Sequence, residues 1–223
     1  MPKPTSSPAW FITGTDTEVG KTFIACALLH ALRNQGRTAL GMKPVAAGLD
    51  VEGKNEDVEQ LIAASSITAP RQLINPYAFN AAVAPHIAAA EEGITIELAQ
   101  IVSAFKQLSG LADAVLVEGV GGFCVPLGPV SDTADLAVAL DLPVILVVGL
   151  RLGCINHALL TEQAIAARGL KLAGWVANGI DPAMARVDEN LATLKARISA
   201  PLLGIVPYGT TPETAALALR LPA

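Results

Sequence analysis

The sequence has few charged and few aromatic side chains. Of its 223 residues, 16% are Asp, Glu, Lys or Arg and 4% are Phe, Trp or Tyr, whereas 52% are hydrophobic. A disordered chain lacks the apolar surface that offsets the entropy of folding, so this composition excludes intrinsic disorder. With 19 Gly and 15 Pro the chain is also far from a collagen-like composition. We therefore expect a single globular domain over residues 1–223, with a sizeable core.

Long hydrophobic runs are also missing. The mean hydropathy is +0.49, but the longest apolar run, residues 142–150, is short and contains Pro143. A helix that spans a bilayer needs about 20 apolar residues, so we predict no membrane association. The first eight residues contain no apolar segment typical of an export signal. The sequence thus predicts a cytoplasmic protein.

Cysteine and positive charge are scarce as well. The three cysteines are widely spaced and form no CxxC pair, which favours reduced thiols over a disulfide or a cysteine metal site. Fifteen basic and twenty acidic side chains give a net charge of −5, and no basic run is present. This balance argues against a nucleic-acid partner bound through its phosphates.

Short β-rich apolar runs alternate with longer segments of helical periodicity. This alternation is typical of an α/β protein with three layers, in which helices cover both faces of a mostly parallel central sheet. The predicted strands are residues 10–13, 39–45, 114–118, 144–148, 172–178 and 202–206. The predicted helices are residues 21–34, 57–64, 84–91, 97–109, 135–140, 156–168, 183–198 and 213–219. The least regular region, residues 46–85, is the expected place for an active-site loop.

A glycine-containing loop lies between the first predicted strand and the first predicted helix. Its sequence is GTDTEVGKT at residues 14–22, and this context is that of a phosphate-binding loop. Backbone N–H groups and the helix N-terminus would face the phosphates, Lys21 would neutralise them, and the Thr22 hydroxyl would bind magnesium. The spacing is unusual, because Gly14 lies one residue farther from the Gly-Lys-Thr triplet than in the standard pattern. Thr15 stands in the usual glycine position.

Three further charged residues follow predicted elements. Lys43 comes at the end of the second strand and Glu118 at the end of the third, and parallel strands open toward one edge of a sheet. This edge would place Lys43 near Lys21, although Lys43, taken alone, is better interpreted as an ordinary surface lysine at a loop entrance. Glu118 is placed to bind either magnesium or a substrate ammonium. Asp57, taken alone, is better interpreted as a helix N-cap.

Together these blocks resemble the dethiobiotin synthetases, ATP-dependent enzymes with the fold of P-loop NTPases. The similarity extends over nearly the whole chain from Trp10 onward, and the blocks are more specific in combination than any one of them. They are GTDTEVGKT at 14–22, KPVAAG at 43–48, NPYAF at 75–79, PHIAA at 85–89, VEGVGG at 117–122, LPVILVVGLRLGCINHALLT at 142–161, LAGWVAN at 172–178 and APLLGIVP at 200–207.

The resemblance implies a reaction in which 7,8-diaminononanoate is carboxylated on one amine by CO2. The carbamate oxygen then attacks the γ-phosphate of ATP, and the neighbouring amine closes the ureido ring and expels phosphate. The products would be dethiobiotin, ADP and phosphate, within biotin synthesis. Mg2+ would be the cofactor, with ATP as a co-substrate.

The resemblance also implies roles for residues that match the family's motifs. The residues implied in catalysis are Lys21, Lys43 and Thr17, and those implied in Mg2+ binding are Thr22, Asp57 and Glu118. The residues implied in nucleotide binding are Thr15, Asp16, Thr17, Glu18, Val19, Gly20, Lys21, Thr22, Phe23, Asn178, Pro207, Tyr208, Gly209 and Glu213. The residues implied in substrate binding are Thr17, Lys43, Ala47, Glu118, Gly121, Gly153, Cys154, Ile155 and Asn156.

In the family, the turn at residues 153–156 comes from the neighbouring subunit and binds the substrate's distal carboxylate, which implies a homodimer. Cys154 would be a packing residue within that turn. Two positions depart from the family pattern. Ala47 stands where a serine is often found, and Asn190 replaces an aromatic hydroxyl near the distal carboxylate. These changes bear on substrate affinity more than on the type of reaction.

Three other interpretations remain. A partitioning or septum-positioning ATPase would carry a signature lysine five residues before Lys21, where this chain has Asp16. The synthetase part of a cobyrinic acid amidating enzyme would come with a glutaminase domain, for which 223 residues leave no room. A catalytically silent relative is disfavoured because every implied magnesium ligand and both lysines are present.

Overall fold

The computed structural model describes residues 7–222, and a six-stranded parallel sheet forms its centre. The strands are β1 (Ala9–Gly14), β2 (Ala39–Met42), β3 (Val45–Ala47), β4 (Tyr77–Phe79), β5 (Ala114–Glu118), β6 (Val144–Leu150), β7 (Leu172–Gly179) and β8 (Leu202–Val206). The helices are α1 (Lys21–Asn34), α2 (Glu56–Ala64), α3 (Arg71–Ile74), α4 (Pro85–Glu91), α5 (Leu98–Ser109), α6 (Thr133–Leu140), α7 (Cys154–Ala167), α8 (Val187–Arg197) and α9 (Pro212–Ala216). The central sheet has the order β2-β5-β1-β6-β7-β8.

Helices cover both faces of the sheet, as the sequence predicts. Successive residues of β1 point to opposite faces, so Phe11 packs in the cluster that contains residues of α4, α5 and α6. Its neighbour Ile12 packs in the cluster that contains residues of α1, α2 and α9. The predicted three-layer α/β architecture is therefore confirmed. Across residues 7–222, none of the helices combines the length and the apolar character needed to cross a membrane.

Most predicted boundaries agree with the structure to within a few residues, and α1 and β5 agree at both ends. The largest shift is at α8, which begins at Val187 because Arg186 adopts a left-handed φ of 57° that interrupts the helix. Helix α7 begins two residues earlier than predicted, at Cys154, after Gly153 with a φ of 93°. The early start places the whole 153–156 turn at the N-terminus of α7.

The predicted strand at 39–45 is wrong, because the chain turns a corner in the middle of it. Strand β2 ends at Met42, and β3 begins at Val45 in a separate two-stranded sheet with β4. Pro44 has no N–H to donate to a ladder, and the N–H of Lys43 donates instead to the Ile74 carbonyl, 2.9 Å away. Lys43 therefore lies at the junction of the two sheets.

The region 46–85 is more ordered than the sequence predicts. It contains α3 and β4 in addition to α2, and these short elements have too few residues to show a periodicity. The interpretation of Asp57 as an N-cap is also wrong. The cap of α2 is Asn55, whose side-chain oxygen accepts a hydrogen bond from the Val58 N–H at 3.3 Å. Asp57 lies in the first turn, where its carboxylate is free of capping.

Strand order brings three chain segments to one edge of the sheet. Strand β5 lies between β2 and β1, and in the register Ile12 pairs with Glu118 while Met42 pairs with Val117. The loop after β1, the corner after β2 and the last residue of β5 thus meet at the carboxyl ends of the strands, where open α/β sheets bind ligands.

Thr133 joins α6 to the loop that follows β5, and its replacement tests this connection. Its fully buried hydroxyl donates to the Phe123 carbonyl at 2.5 Å and accepts from the Val125 N–H at 3.0 Å. Thr133→Val leaves both backbone groups unpaired, so we expect a loss of about 1–3 kcal/mol of unfolding free energy in urea denaturation. The control Thr193→Val removes an exposed hydroxyl and should cost less than about 0.5 kcal/mol. Equal losses in both variants would contradict the assignment.

Candidate active site

The loop between β1 and α1 has the backbone geometry of an anion-binding loop. Gly20, the N-cap of α1, has a left-handed φ of 82°, and Glu18 has a φ of 59°, which is unusual for a residue with a side chain. The first N–H groups of α1 have no partner within the helix and open toward the carboxyl edge of the sheet. Lys21 and Thr22, the first two residues of α1, are 6% and 8% exposed. The predicted phosphate-binding residues are thus assembled around one helix N-terminus.

Asp16, within this loop, contacts Lys21, Thr17 and Arg151. The Lys21 ammonium donates to the main-chain carbonyl of Asp16 at 3.0 Å. One carboxylate oxygen of Asp16 accepts from the Thr17 N–H at 2.8 Å, and the other pairs with Arg151 at 2.5 Å. Burial and the nearby positive charge of Lys43 lower the pKa of Lys21 to about 8. The Lys21 ammonium is therefore poised to gain stability from an arriving anion.

Four chain segments meet in a buried ionic cluster. The Lys43 ammonium donates to Glu118 Oε1 at 2.5 Å and to Asp57 Oδ2 at 2.8 Å, and the Thr22 hydroxyl donates to Glu118 Oε1 at 2.7 Å. Lys43 is 3% and Glu118 1% exposed. The sequence prediction that Lys43 lies near the phosphate loop is confirmed, and the alternative of an ordinary surface lysine is wrong.

The charges of this cluster stabilise one another. Burial by itself lowers the pKa of Lys43, but the carboxylates of Glu118 and Asp57 outweigh burial and raise the pKa above its usual value. Burial by itself would raise the pKa of Asp57, and the Lys43 ammonium instead holds it below its usual value. Lys43 is therefore a permanent cation, in contrast to Lys21.

The donor set suits a hard divalent cation. Glu118 Oε2 is buried and has no hydrogen-bond partner among the residues that the structure describes, and an unpaired buried carboxylate oxygen is costly. Together with the Thr22 hydroxyl and the Asp57 carboxylate, it offers the oxygen chemistry that Mg2+ prefers. Residues 7–222 contain no group of three or more His, Cys, Asp and Glu side chains that could hold a metal. A cation here would need further ligands from water or phosphate.

A cavity of about 730 Å3 opens above the ionic cluster. Its floor is polar and includes both lysines, Thr22, Asp57 and Glu118, and the predicted residues Thr17, Ala47 and Gly121 also line it. Its other wall is mainly aliphatic and consists of Ala46, Ala82, Val83, Ala84, Pro85, Val120 and Val125. Of these lining residues, the 82–85 segment, Ala46, Asn55, Val120 and Val125 were not among the predicted site residues. For the 82–85 segment and Asn55, the sequence offers only their position as an indication. Pro85 begins the PHIAA block, and Asn55 precedes Asp57 by two residues.

A second cavity, of about 400 Å3, lies on the other side of Gly20. Asn178 at the end of β7 is 6% exposed, and its amide nitrogen donates to the Val19 carbonyl at 2.9 Å. The lining residues are Gly20, Phe23, Asn178, Gly179, Ile180, Pro207, Tyr208, Gly209 and Thr210. A Cβ atom on Gly179 would lie 2.9 Å from the Tyr208 nitrogen, so glycine is needed for this close approach. The structure thus brings the predicted residues of β7 and the loop after β8 together.

Other predicted residues lie outside both cavities. Glu213, in the first turn of α9, pairs with His30 at 3.4 Å. The 153–156 turn lines neither cavity of its own chain, although Cys154 is 2% exposed and packs as expected. Asn190 on α8 donates to the Arg186 carbonyl at 2.8 Å. Thr15 and Asp16 support the loop from outside the cavity walls.

A parallel sheet with a Gly-Lys-Thr loop between its first strand and first helix defines a P-loop NTPase. The family model described as an AAA domain matches residues 9–214. Among solved structures, the MinC:MinD cell division protein complex of Aquifex aeolicus superposes with a TM-score of 0.53 at 18% identity, covering 90% of this chain and 81% of that chain. Chloroplast FtsY from Physcomitrella patens gives a TM-score of 0.55 at 15% identity, covering 95% and 62% of the two chains. These similarities show the fold alone.

Curated relatives identify the family within that class. An ATP-dependent dethiobiotin synthetase BioD of Aromatoleum aromaticum is 64% identical, over 98% of this chain and 99% of that protein. Two further proteins of the same name are each 54% identical to this chain. For the protein from Xylella fastidiosa the match covers 97% of both chains. For that from a Janthinobacterium species it covers 95% of this chain and 92% of the relative. The chain belongs to the ATP-dependent dethiobiotin synthetase family, which confirms the resemblance found in the sequence. The likeness to MinD reflects the shared fold.

Lys43→Met tests whether the ionic cluster depends on the lysine. Breaking a buried ion pair leaves its partners uncompensated, so we expect a loss of about 3–5 kcal/mol in unfolding free energy at pH 7. Urea denaturation at pH 7 measures the effect.

The double variant Lys43→Met/Glu118→Gln is the control, because it also removes the buried carboxylate charge. It should recover part of the loss. A small loss in the single variant, or no recovery in the double variant, would contradict the view that Lys43 neutralises these acids.

Proposed function

We propose that this protein is an ATP-dependent cyclo-ligase that converts 7,8-diaminononanoate, CO2 and ATP into dethiobiotin, ADP and phosphate, in biotin synthesis. The observation that carries the proposal is the convergence of a phosphate-binding loop and a buried lysine–carboxylate cluster beneath a cavity with an aliphatic wall. Membership of the dethiobiotin synthetase family supports the same reaction. We place this reaction in the cytoplasm.

In this proposal the triphosphate lies on the loop between β1 and α1, where the N–H groups of the loop and the helix N-terminus face it. The base occupies the smaller cavity, between Phe23, Asn178 and the loop 207–209. The two cavities share Gly20, which supports one nucleotide that passes from one to the other. Glu213 lies at the edge of this site, and its part in nucleotide binding is the least supported by the contacts.

Thr22, Asp57 and Glu118 would hold Mg2+. When bound, the ion would neutralise phosphate charge and orient the γ-phosphate for in-line transfer. The free oxygen of Glu118 supports this assignment, because it is the one buried carboxylate oxygen of the cluster that no hydrogen bond satisfies. Asp57 lies in the first turn of α2, so its position depends on the Asn55 cap that begins this helix.

The chain's own residues account for the charge changes of the reaction. One substrate amine attacks CO2, forms the N–C bond and loses a proton to give a carbamate. A carbamate oxygen then attacks the γ-phosphorus while the bond to ADP breaks. Lys21 and Lys43 stabilise the anions that crowd together at this step, and Thr17 lies at the cavity wall beside them.

Ring closure follows from the same geometry. The second amine attacks the carbamate carbon, and inorganic phosphate leaves with the electrons of the C–O bond. The aliphatic wall, which includes Ala46, Val83 and Val120, would pack against the methylene chain and exclude water from the reactive anhydride. Ala47, which replaces the serine of relatives, removes one hydrogen bond to substrate without touching the phosphate site.

A second copy of the chain would complete the substrate site through its 153–156 turn. The turn begins a 14-residue helix whose free N–H groups suit a carboxylate, and it lines neither of the two cavities described above. The neighbouring side chains Leu152 and Leu160 are 94% and 56% exposed, as expected of a surface that a partner covers. Leu191, which follows Asn190 on α8, belongs to the same apolar cluster as Cys154, and Asn190 would then alter the affinity for the distal carboxylate.

The decisive experiment incubates the purified protein with 7,8-diaminononanoate, bicarbonate, magnesium and ATP. We expect dethiobiotin by mass spectrometry, with ADP and phosphate formed only when the diamine is present. Lys21→Ala should abolish turnover, because the phosphate-binding cation is lost. Lys106→Ala, which removes an exposed lysine of α5, is the matched control and should keep full activity. Tight nucleotide binding without any dethiobiotin would overturn the proposal.

The depressed pKa of Lys21 predicts that nucleotide binding takes up a proton above neutral pH. With a pKa of about 8 in the free protein, Lys21 is mostly neutral at pH 8.5, whereas bound phosphates favour its charged form. Calorimetric titration with a non-hydrolysable ATP analogue, in buffers of different ionisation enthalpy, should show uptake of about 0.5–0.8 proton at pH 8.5 and about 0.1 at pH 7. Lys21→Arg, which stays charged, should show none. Equal uptake at both pH values would refute the assignment.

A further inference from the structure

The NPYAF block at residues 75–79 characterises this sequence, yet none of the roles described above uses it. Its first residue, Asn75, is 9% exposed, and it precedes β4. The Asn75 side-chain amide donates two hydrogen bonds to main-chain carbonyls, one to Lys43 at 2.7 Å and one to Tyr77 at 2.9 Å. Asn75 therefore bridges its own segment to the residue that carries the buried ammonium.

Two main-chain hydrogen bonds also attach the corner at Lys43 and Pro44 to this segment. The Lys43 N–H donates to the Ile74 carbonyl at 2.9 Å, and the Tyr77 N–H donates to the Pro44 carbonyl at 3.0 Å. Between these two bonds lies the Lys43 carbonyl, at a point where the chain has left β2 and not yet entered β3. The Asn75 amide satisfies this carbonyl and completes the attachment of the corner to the 74–77 segment.

The position of the corner determines the position of the ammonium. Lys43 is 3% exposed, so the surrounding residues restrict its side-chain conformation more than solvent restricts that of a surface lysine. Its Nζ atom must reach Glu118 and Asp57 at 2.5 and 2.8 Å together. A displacement of the main chain by a fraction of an ångström would break one of these contacts.

We infer that Asn75 is a positioning residue for Lys43, which it holds at the corner between the two sheets so that the ammonium meets the reacting anions. This inference rests on the proposed function, because it gives Asn75 a part in the same site. Asn75 touches neither the phosphate loop nor the base cavity. Its loss should therefore slow the reaction without weakening the binding of nucleotide.

The test compares Asn75→Ala with Ser66→Ala. Ser66 accepts a hydrogen bond from the Ala39 N–H at 2.7 Å, so it stabilises β2 at the end opposite to Lys43. We expect kcat for dethiobiotin formation to fall about 10–100-fold in Asn75→Ala, the scale typical of a misplaced catalytic group. The Kd for an ATP analogue should change less than about threefold, in line with an unaltered phosphate loop. Ser66→Ala should lower the melting temperature and leave kcat within about twofold of the native value.

Asn75→Asp is the second variant, and it decides the matter if the alanine variant does not fold. It keeps the side-chain shape but, when ionised, places an acceptor against two carbonyls. An ionised carboxylate cannot donate a hydrogen bond, so we expect kcat to fall about 10–100-fold in this variant as well, with the Kd for the ATP analogue changed less than about threefold.

The outcomes separate this inference from the function on which it rests. Native protein that makes no dethiobiotin overturns the proposed function itself. Active native protein with an unchanged kcat in Asn75→Ala, or with equal losses in kcat and nucleotide affinity, overturns the role of Asn75 alone. For Asn75→Asp, a kcat within about twofold of the native value does so as well.

Discussion

One buried carboxylate, that of Glu118, sets the conditions for the whole carboxyl edge of the sheet. A charged group at the end of an interior strand is tolerated only where partners compensate it, and here a lysine and a threonine donate to a single oxygen. Both partners depend on the strand order, which places β5 between the strands that lead to the phosphate loop and to the corner at Lys43. The other carboxylate oxygen remains without a hydrogen bond. Glu118 Oε2 is therefore an unpaired acceptor, which the proposed cation would use.

The pKa values of the two lysines of the site are shifted in opposite directions. Lys43 is surrounded by carboxylates that raise its pKa, whereas Lys21 is desolvated beside a like charge that helps to lower its pKa to about 8. The acids therefore stabilise the charged form of Lys43. Burial and the neighbouring charge of Lys43 disfavour the charged form of Lys21, which a bound anion would stabilise. The loop also supports Lys21, because the Asp16 main-chain carbonyl accepts a hydrogen bond from the Lys21 ammonium. In the partitioning ATPases considered at the outset, a lysine would occupy this position.

The shared fold explains less of the function than the residues at this edge do. MinD and FtsY superpose on the chain at 18% and 15% identity, and a fold of this kind hosts many chemistries. This chain has a second buried lysine, Lys43, and an aliphatic wall beside the phosphate loop. In the proposed function this wall would pack against the methylene chain of the diamine.

The sequence by itself determined the α/β class, the phosphate loop and the identity of the charged residues, because these follow from periodicity and from local spacing. Helix α1 and strand β5 were predicted at both ends for that reason. Tertiary structure decided the rest. Asp57 could not be distinguished from a helix cap until the structure showed Asn55 in that position. The break at Pro44 depends on a second sheet, in which β3 pairs with residues 32 positions further along the chain. The contacts of Lys43 join residues 14 and 75 positions apart in sequence. Local propensity carries no information about such pairs, because only strand order and burial bring them within hydrogen-bonding distance.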